Sequence, residues 1–307
     1  MTDSLGLIPF SLRDQARFLN LFRGNSVTSG LIAINLAAVI FGTAALFGKL
    51  DISPVWIVAA RGAFAALTLA GFGWLRGEPL WTSNQMHLKA LGVSGTLLCI
   101  HWLTFFVAVQ WAGVAVATLT FAAFPLFTVL LSALAARRWP DLLEAGAGFA
   151  ILFAVGLLVD VRIPGTALWG ALAGLMSALT FAYFGLQSKQ LTTVLPAVTV
   201  SLAQNMMVAL LLLPLLPWAY PMPTQSSDWF WLGVLGVVTT ALMHQLYLFA
   251  LRRLSATVCS GFIALEPVYA VAFAARWFQE PLTGQVVISG GLILGASFVL
   301  LWSEKRA

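Results

Sequence analysis

The chain has 307 residues, 60% of them hydrophobic and only 9% charged, where a soluble domain carries about 25% charge. Its mean hydropathy of +0.94 excludes an ordinary soluble domain and places the chain among polytopic membrane proteins. The net charge of +5 is scattered through short loops without forming a patch, so it reads as membrane orientation and argues against a nucleic-acid partner. Cys99 and Cys259 both lie inside apolar runs and read as free core thiols, with no disulfide or metal site implied.

In chain order, residues 1–27 lack the apolar core and small-residue cleavage site of a signal peptide. Within them, residues 10–23 fit either an amphipathic helix in the inner interface or a disordered tail. Ten apolar runs follow, at 28–49, 54–75, 88–109, 113–135, 142–159, 166–188, 196–218, 229–251, 255–277 and 282–302. Each approximates the length that crosses a bilayer, and the short connections make consecutive helices antiparallel neighbours. Twelve basic residues fall on the amino-terminal side of the expected membrane, against three (Lys49, Arg162 and Arg276) on the other. The positive-inside rule therefore puts both termini in the cytoplasm.

The expected architecture is an all-α membrane protein of ten transmembrane helices in two inverted five-helix repeats. An amino-terminal segment (1–27) precedes the first repeat (28–159); a linker (160–165), the second repeat (166–302) and a tail (303–307) follow. A displacement of 140 aligns Ala33, Ala38, Phe41, Leu46 and Lys49 with Ala173, Ala178, Phe181, Leu186 and Lys189. At 142, Pro125 meets Pro267 and Val129 meets Val271. Five spans per half is odd, so the second half enters the membrane upside down, as in many secondary transporters.

The chain resembles the ten-helix EamA branch of the drug/metabolite transporter superfamily over nearly its whole length. The residues that carry the resemblance are Phe41-Gly42 and Lys49 in span 1, Arg61 in span 2, and Leu265-Glu266-Pro267 with Glu280 around span 9. The chain departs from the family at Phe41, where a Trp is usual, and after span 4, where Arg137-Arg138-Trp139-Pro140-Asp141 replaces the usual Glu. The resemblance implies export of small metabolites, amino acids among them, from a bacterial cytoplasmic (inner) membrane, with no cofactor. The implied partners are a small-molecule substrate, the lipid bilayer and, as a coupling ion, protons.

Buried charge singles out the candidate site. Glu266 stands near the middle of the ninth span, where a carboxylate costs ~2.5–3.5 kcal/mol on insertion scales. At ~1.5 Å per residue it lies roughly 13 Å below the outer boundary and Arg61 roughly 10 Å below it. An Arg61–Glu266 ion pair is therefore expected, either as a gate or proton-coupled carboxylate, or as a static tie between the halves. His101 and His244 occupy corresponding spans and exchange depth, as an inverted repeat requires; each is a proton relay or a neutral imidazole bonded across helices. Gln204 and Asn205 lie midway through span 7 and are cavity candidates or helix–helix glue. Trp102, Phe105, Tyr183 and Tyr269 are expected to line an aromatic cavity, with core packing as the alternative, and Lys49 is a gate candidate. No metal-ligand spacing and no Ser-His-Asp order is present.

With Arg61 the one deep cation, the cavity suits a neutral or zwitterionic cargo better than a phosphate, which calls for several Arg and Lys. The alternatives are an exchange carrier for sugars or phosphorylated metabolites and an integral-membrane enzyme, the latter lacking a nucleophile or carboxylate pair. A channel would need a continuous polar stripe or a repeated filter loop.

Overall fold

In the computed structural model the described residues are 26–158, 165–263 and 265–304, and their regular structure is entirely helical. The amphipathic segment 10–23, most of the 160–165 connection and residues 305–307 lie outside them. The first helix, α1 (Ser26–Ala44), runs on into a 3-10 turn, Ala45–Lys49. Helix α2 (Pro54–Leu75) starts where the Ser53 hydroxyl accepts from Val55 N at 3.3 Å and Pro54 occupies a first-turn position that needs no N–H. Helix α3 (Gln85–Phe121) is capped by Asn84, whose Oδ1 accepts from Met86 N and His87 N. Its 37 residues would measure ~55 Å if straight, nearly twice the bilayer core. Gly113, at φ 84° and ψ 168°, breaks the run in a conformation that favours glycine.

Then come α4 (Phe124–Ala135), α5 (Leu142–Leu158), α6 (Thr166–Val194) and α7 (Ala197–Leu212), the last extended by a 3-10 turn, Leu213–Trp218. Helices α8 (Ser226–Gly236) and α9 (Met243–Leu251) are joined by a π-helical turn, Val237–Leu242. Helices α10 (Ala256–Ile263), α11 (Glu266–Phe278) and α12 (Gly284–Glu304) complete the chain. Among the described residues, seven helical stretches are long and apolar enough to cross a membrane; Phe124–Ala135, Leu142–Leu157 and Gly284–Leu300 are shorter apolar helices. Large apolar side chains such as Leu67, Phe149 and Phe298 face outward, which suits lipid and not water.

Two breaks share one backbone pattern. Between α3 and α4, Ala123 N donates to Thr120 O and Leu126 N to Ala123 O; before and within α11, Leu265 N donates to Phe262 O and Val268 N to Leu265 O. Each break is followed at once by a proline, Pro125 or Pro267, in the first turn of the next helix, where its missing N–H costs nothing. The backbones are thus equivalent at a displacement of 142. Their side chains differ, because Phe124 opens α4 while Glu266 opens α11.

The most extensive contacts are α3 with α6, α2 with α7 and α5 with α12, each joining an element before residue 160 to one after it. The two halves of the chain therefore interlock. At one end of the bundle Gln110 Nε2 donates to Ile52 O, Ser53 N to Pro221 O, and Trp56 Nε1 to Ala219 O. At the other end the Thr199 hydroxyl donates to Pro79 O, and Gly30 lies against Arg253 and Leu254.

Candidate functional site

The break before α11 puts a carboxylate at a helix N-terminus inside the bundle, where the helix dipole favours negative charge. Glu266 is 2% exposed, and its Oε2 is buried without a hydrogen-bond partner. Arg61, on α2, is equally buried. Its guanidinium lies 3.8 Å from the centroid of the Trp102 ring and 5.6 Å from that of Phe106. Its Nε donates to Thr240 Oγ1 at 3.1 Å. Thr240 stands in the π-helical turn, and its own hydroxyl donates back five residues to Leu235 O at 2.6 Å. The widened turn lets one hydroxyl accept from the arginine while remaining bonded itself, a use of π turns common at functional sites.

Arg61 and Glu266 face one small cavity of about 10 Å³, walled by Phe41, Ala44, His101, Trp102, Phe105 and Phe121. It has room for one water at most, so the site is closed to a cargo in this conformation. The expected ion pair is not formed: among the described residues none joins Arg61 to Glu266. The guanidinium is instead held by an aromatic face and a hydroxyl. His101 Nδ1 lies 2.7 Å from Ser177 Oγ and 3.2 Å from Ser177 O, so a proton on Nδ1 satisfies the carbonyl. The imidazole is packed against Phe105, Phe121 and Phe181.

Behind Trp102 lies a second buried polar group. The His244 ring stacks on Trp102 (centroids 5.6 Å) and on Phe184 (5.7 Å). Asn205 Nδ2 donates to Ser201 O at 2.8 Å and to His244 Nδ1 at 3.3 Å, which makes Nδ1 the acceptor and leaves the imidazole proton on Nε2. Gln204 Nε2 donates to Ser94 Oγ at 2.7 Å and Ser188 Oγ at 2.9 Å, tying α7 to α3 and α6. Gln204 Oε1 and Asn205 Oδ1 stay buried without partners. Neither residue lines the cavity beside Glu266.

Residues 28–160 and 168–302 each match the model of the EamA-like transporter family. The chain belongs to that family. It is 21% identical over 282 residues to an uncharacterized transporter, YxxF, of Bacillus subtilis (strain 168), covering 87% of this chain and 89% of that one. A solved crystal structure superposes with a TM-score of 0.68 at 20% identity, over 92% of this chain and 100% of the other, a likeness of fold alone. The protein is an integral, multi-pass membrane transporter of EamA type.

Within this EamA-like transporter the sequence-derived candidates divide. Arg61, Glu266, His101, Trp102 and Phe105 converge on the cavity. His244, Gln204 and Asn205 form the polar group behind it. Tyr183 is 41% exposed and points away from the cavity, a correction to its expected place. Tyr269 is half-buried against α1, where its Cβ would lie 2.6 Å from a Cβ added at Gly42. Lys49 lies at the bundle end, where its Nζ meets Glu280 Oε1 at 2.5 Å. Sequence reasoning missed Thr240, whose role depends on a π turn, and the cavity walls Ala44 and Phe121, ordinary apolar residues without a signal of their own.

Proposed function

We propose that this EamA-like protein is a secondary transporter of ten spans in two inverted five-helix repeats, working by alternating access with both termini in the cytoplasm. Its cargo is a small neutral or zwitterionic metabolite, amino acids among them, exported across a bacterial cytoplasmic membrane. The observation that carries this reading is the closed cavity where Glu266, with its Oε2 buried and lacking a donor, faces one buried guanidinium, Arg61. A buried carboxylate lacking a donor is costly, and a proton or the ammonium group of a cargo relieves that cost. The guanidinium matches a carboxylate in bidentate fashion. A single buried guanidinium does not suit a phosphate, which calls for several Arg and Lys. The family match over both halves supports a carrier over an enzyme.

Counterflow into proteoliposomes, screened over amino acids, amines and sugars with and without an imposed pH gradient, tests the proposal. Saturable exchange is expected, lost in Glu266→Gln, with uphill movement when a pH gradient is imposed. Equal accumulation with and without the gradient leaves facilitated diffusion and removes the proton. Conversion of the solute without flux overturns the carrier.

A further inference from the structure

Glu280 does more than neutralise Lys49. Its Oε1 accepts from Val114 N at 3.3 Å and its Oε2 from Ala115 N at 3.4 Å, the first N–H groups after the break at Gly113. Gln279, in the left-handed region at φ 54°, ends α11 and turns the chain so that Glu280 points back over the bundle. One carboxylate thus joins three segments: the end of α1 through Lys49, the helical restart after Gly113, and its own segment beyond α11. All three lead to the cavity, the restart after Gly113 through Phe121. Ala44 lies five residues before Lys49 on the α1 side, and Glu266 fourteen before Glu280 along α11. Separating α1 from α11 at this end would uncover the cavity from that side.

The opposite end is built differently. Lys189, the counterpart of Lys49 at a displacement of 140, donates to the carbonyls of Leu251 and Leu254 and, among the described residues, to no carboxylate. At a displacement of 142, Glu280 corresponds to Arg138, which makes a two-pronged pair at 2.7 Å with Glu144 in its own half. Both ends therefore carry the same lysine, but among the described residues only the one at the Lys49 end is met by an acid.

We infer that Lys49 and Glu280 form a one-sided latch, which holds the Lys49 end of the cavity closed and, among the described residues, has no lysine–carboxylate counterpart at the Lys189 end. The latch presupposes the alternating-access reading above, and it makes the two openings unequal: only the opening at the Lys49 end breaks a lysine–carboxylate pair and uncaps a helix start. At 31% and 18% side-chain exposure the pair is partly shielded from solvent and salt.

The test is the labelling rate of a cavity cysteine. Ala44→Cys and, in a second series, Phe41→Cys are introduced into a chain whose buried native thiols are removed by Cys99→Ala and Cys259→Ala. A membrane-impermeant maleimide is applied to sealed vesicles of each orientation in turn. Glu280→Gln and Lys49→Met are expected to raise labelling from the Lys49 end by about tenfold, the population change that ~1.4 kcal/mol gives. Lys189→Met should leave labelling from that end unchanged. The exchange Lys49→Glu with Glu280→Lys should restore protection only in part, because a lysine at 280 cannot accept from Val114 and Ala115. Unchanged labelling in both single variants, in either reporter series, overturns the latch. Labelling reports opening whether or not any cargo moves, so a carrier that fails to transport and a latch that fails to hold are separate results.

Discussion

At the scale of single residues the site rests on how Arg61 is held. Its Nε has the Thr240 hydroxyl as acceptor, and its planar face lies on Trp102. Thr240→Val keeps the shape and removes the acceptor, so a buried charged donor is left unsatisfied at a cost of about 1–3 kcal/mol. The purified protein in detergent is expected to melt several degrees lower, with Thr240→Ser close to the parent. Parent-like melting of Thr240→Val would show that Trp102 alone suffices. Replacing Arg61 by Met while Glu266 remains should cost more stability than the Arg61→Met, Glu266→Gln pair, because a lone buried charge is the expensive state. Thermal melts of both variants check the order. Depth arithmetic was enough to bring Arg61 and Glu266 to one cavity, since helical rise is regular. It could not give Arg61's partner: a π turn shifts the register of α9 against α8, and apolar periodicity carries no trace of that. Tyr183 fails for a related reason, as the face of α6 turned to the cavity is decided by packing against α3.

At the scale of elements, the breaks before Pro125 and Pro267 make the carboxylate possible. A broken helix offers a free N-terminus inside the bundle, and α1 packs closely over it. The closeness depends on Gly42: an added Cβ would meet Tyr269 Cβ at 2.6 Å, Ala270 N at 3.0 Å and Glu266 O at 3.2 Å. Two of those atoms are backbone and cannot rotate away. Gly42→Ala should therefore push α1 off α11, at the ~1–3 kcal/mol typical of overpacking, and lower both melting temperature and transport. Gly71 on α2 supplies the contrast, having nothing within 4 Å of an added Cβ. Gly71→Ala should be neutral or stabilising by up to ~1 kcal/mol, since alanine is the better helix former. Equal melting of the two variants would mean that the α1–α11 contact yields freely. The prolines and the paired Phe41/Phe181 and Lys49/Lys189 positions were legible in the sequence as a repeat. That the shared backbone carries Phe124 in one half and Glu266 in the other was legible too, and the structure adds that only Glu266 lines the cavity beside Arg61.

At the scale of the whole molecule, the apolar runs made the helices readable because a bilayer tolerates little else. The run at 88–109 and that at 113–135 are one helical stretch as far as Phe121, interrupted only by Gly113, a continuity that hydropathy does not register. Orientation rests on the distribution of basic residues and has a direct test. The connection at 76–84 belongs to the end of the bundle with Pro79 and Thr199, and that at 219–225 to the end with Ser53 and Pro221. Ser83 and Thr224 are both exposed there. The two native thiols are buried, so they give a low background toward a membrane-impermeant maleimide. In intact cells Thr224→Cys should label and Ser83→Cys should label only after the membrane is opened. The opposite pattern would place both termini outside, invert the sidedness of Lys49 and Glu280, and turn the latch toward the cytoplasm. Labelling of both sites in intact cells would break the even span count on which the inverted repeat depends.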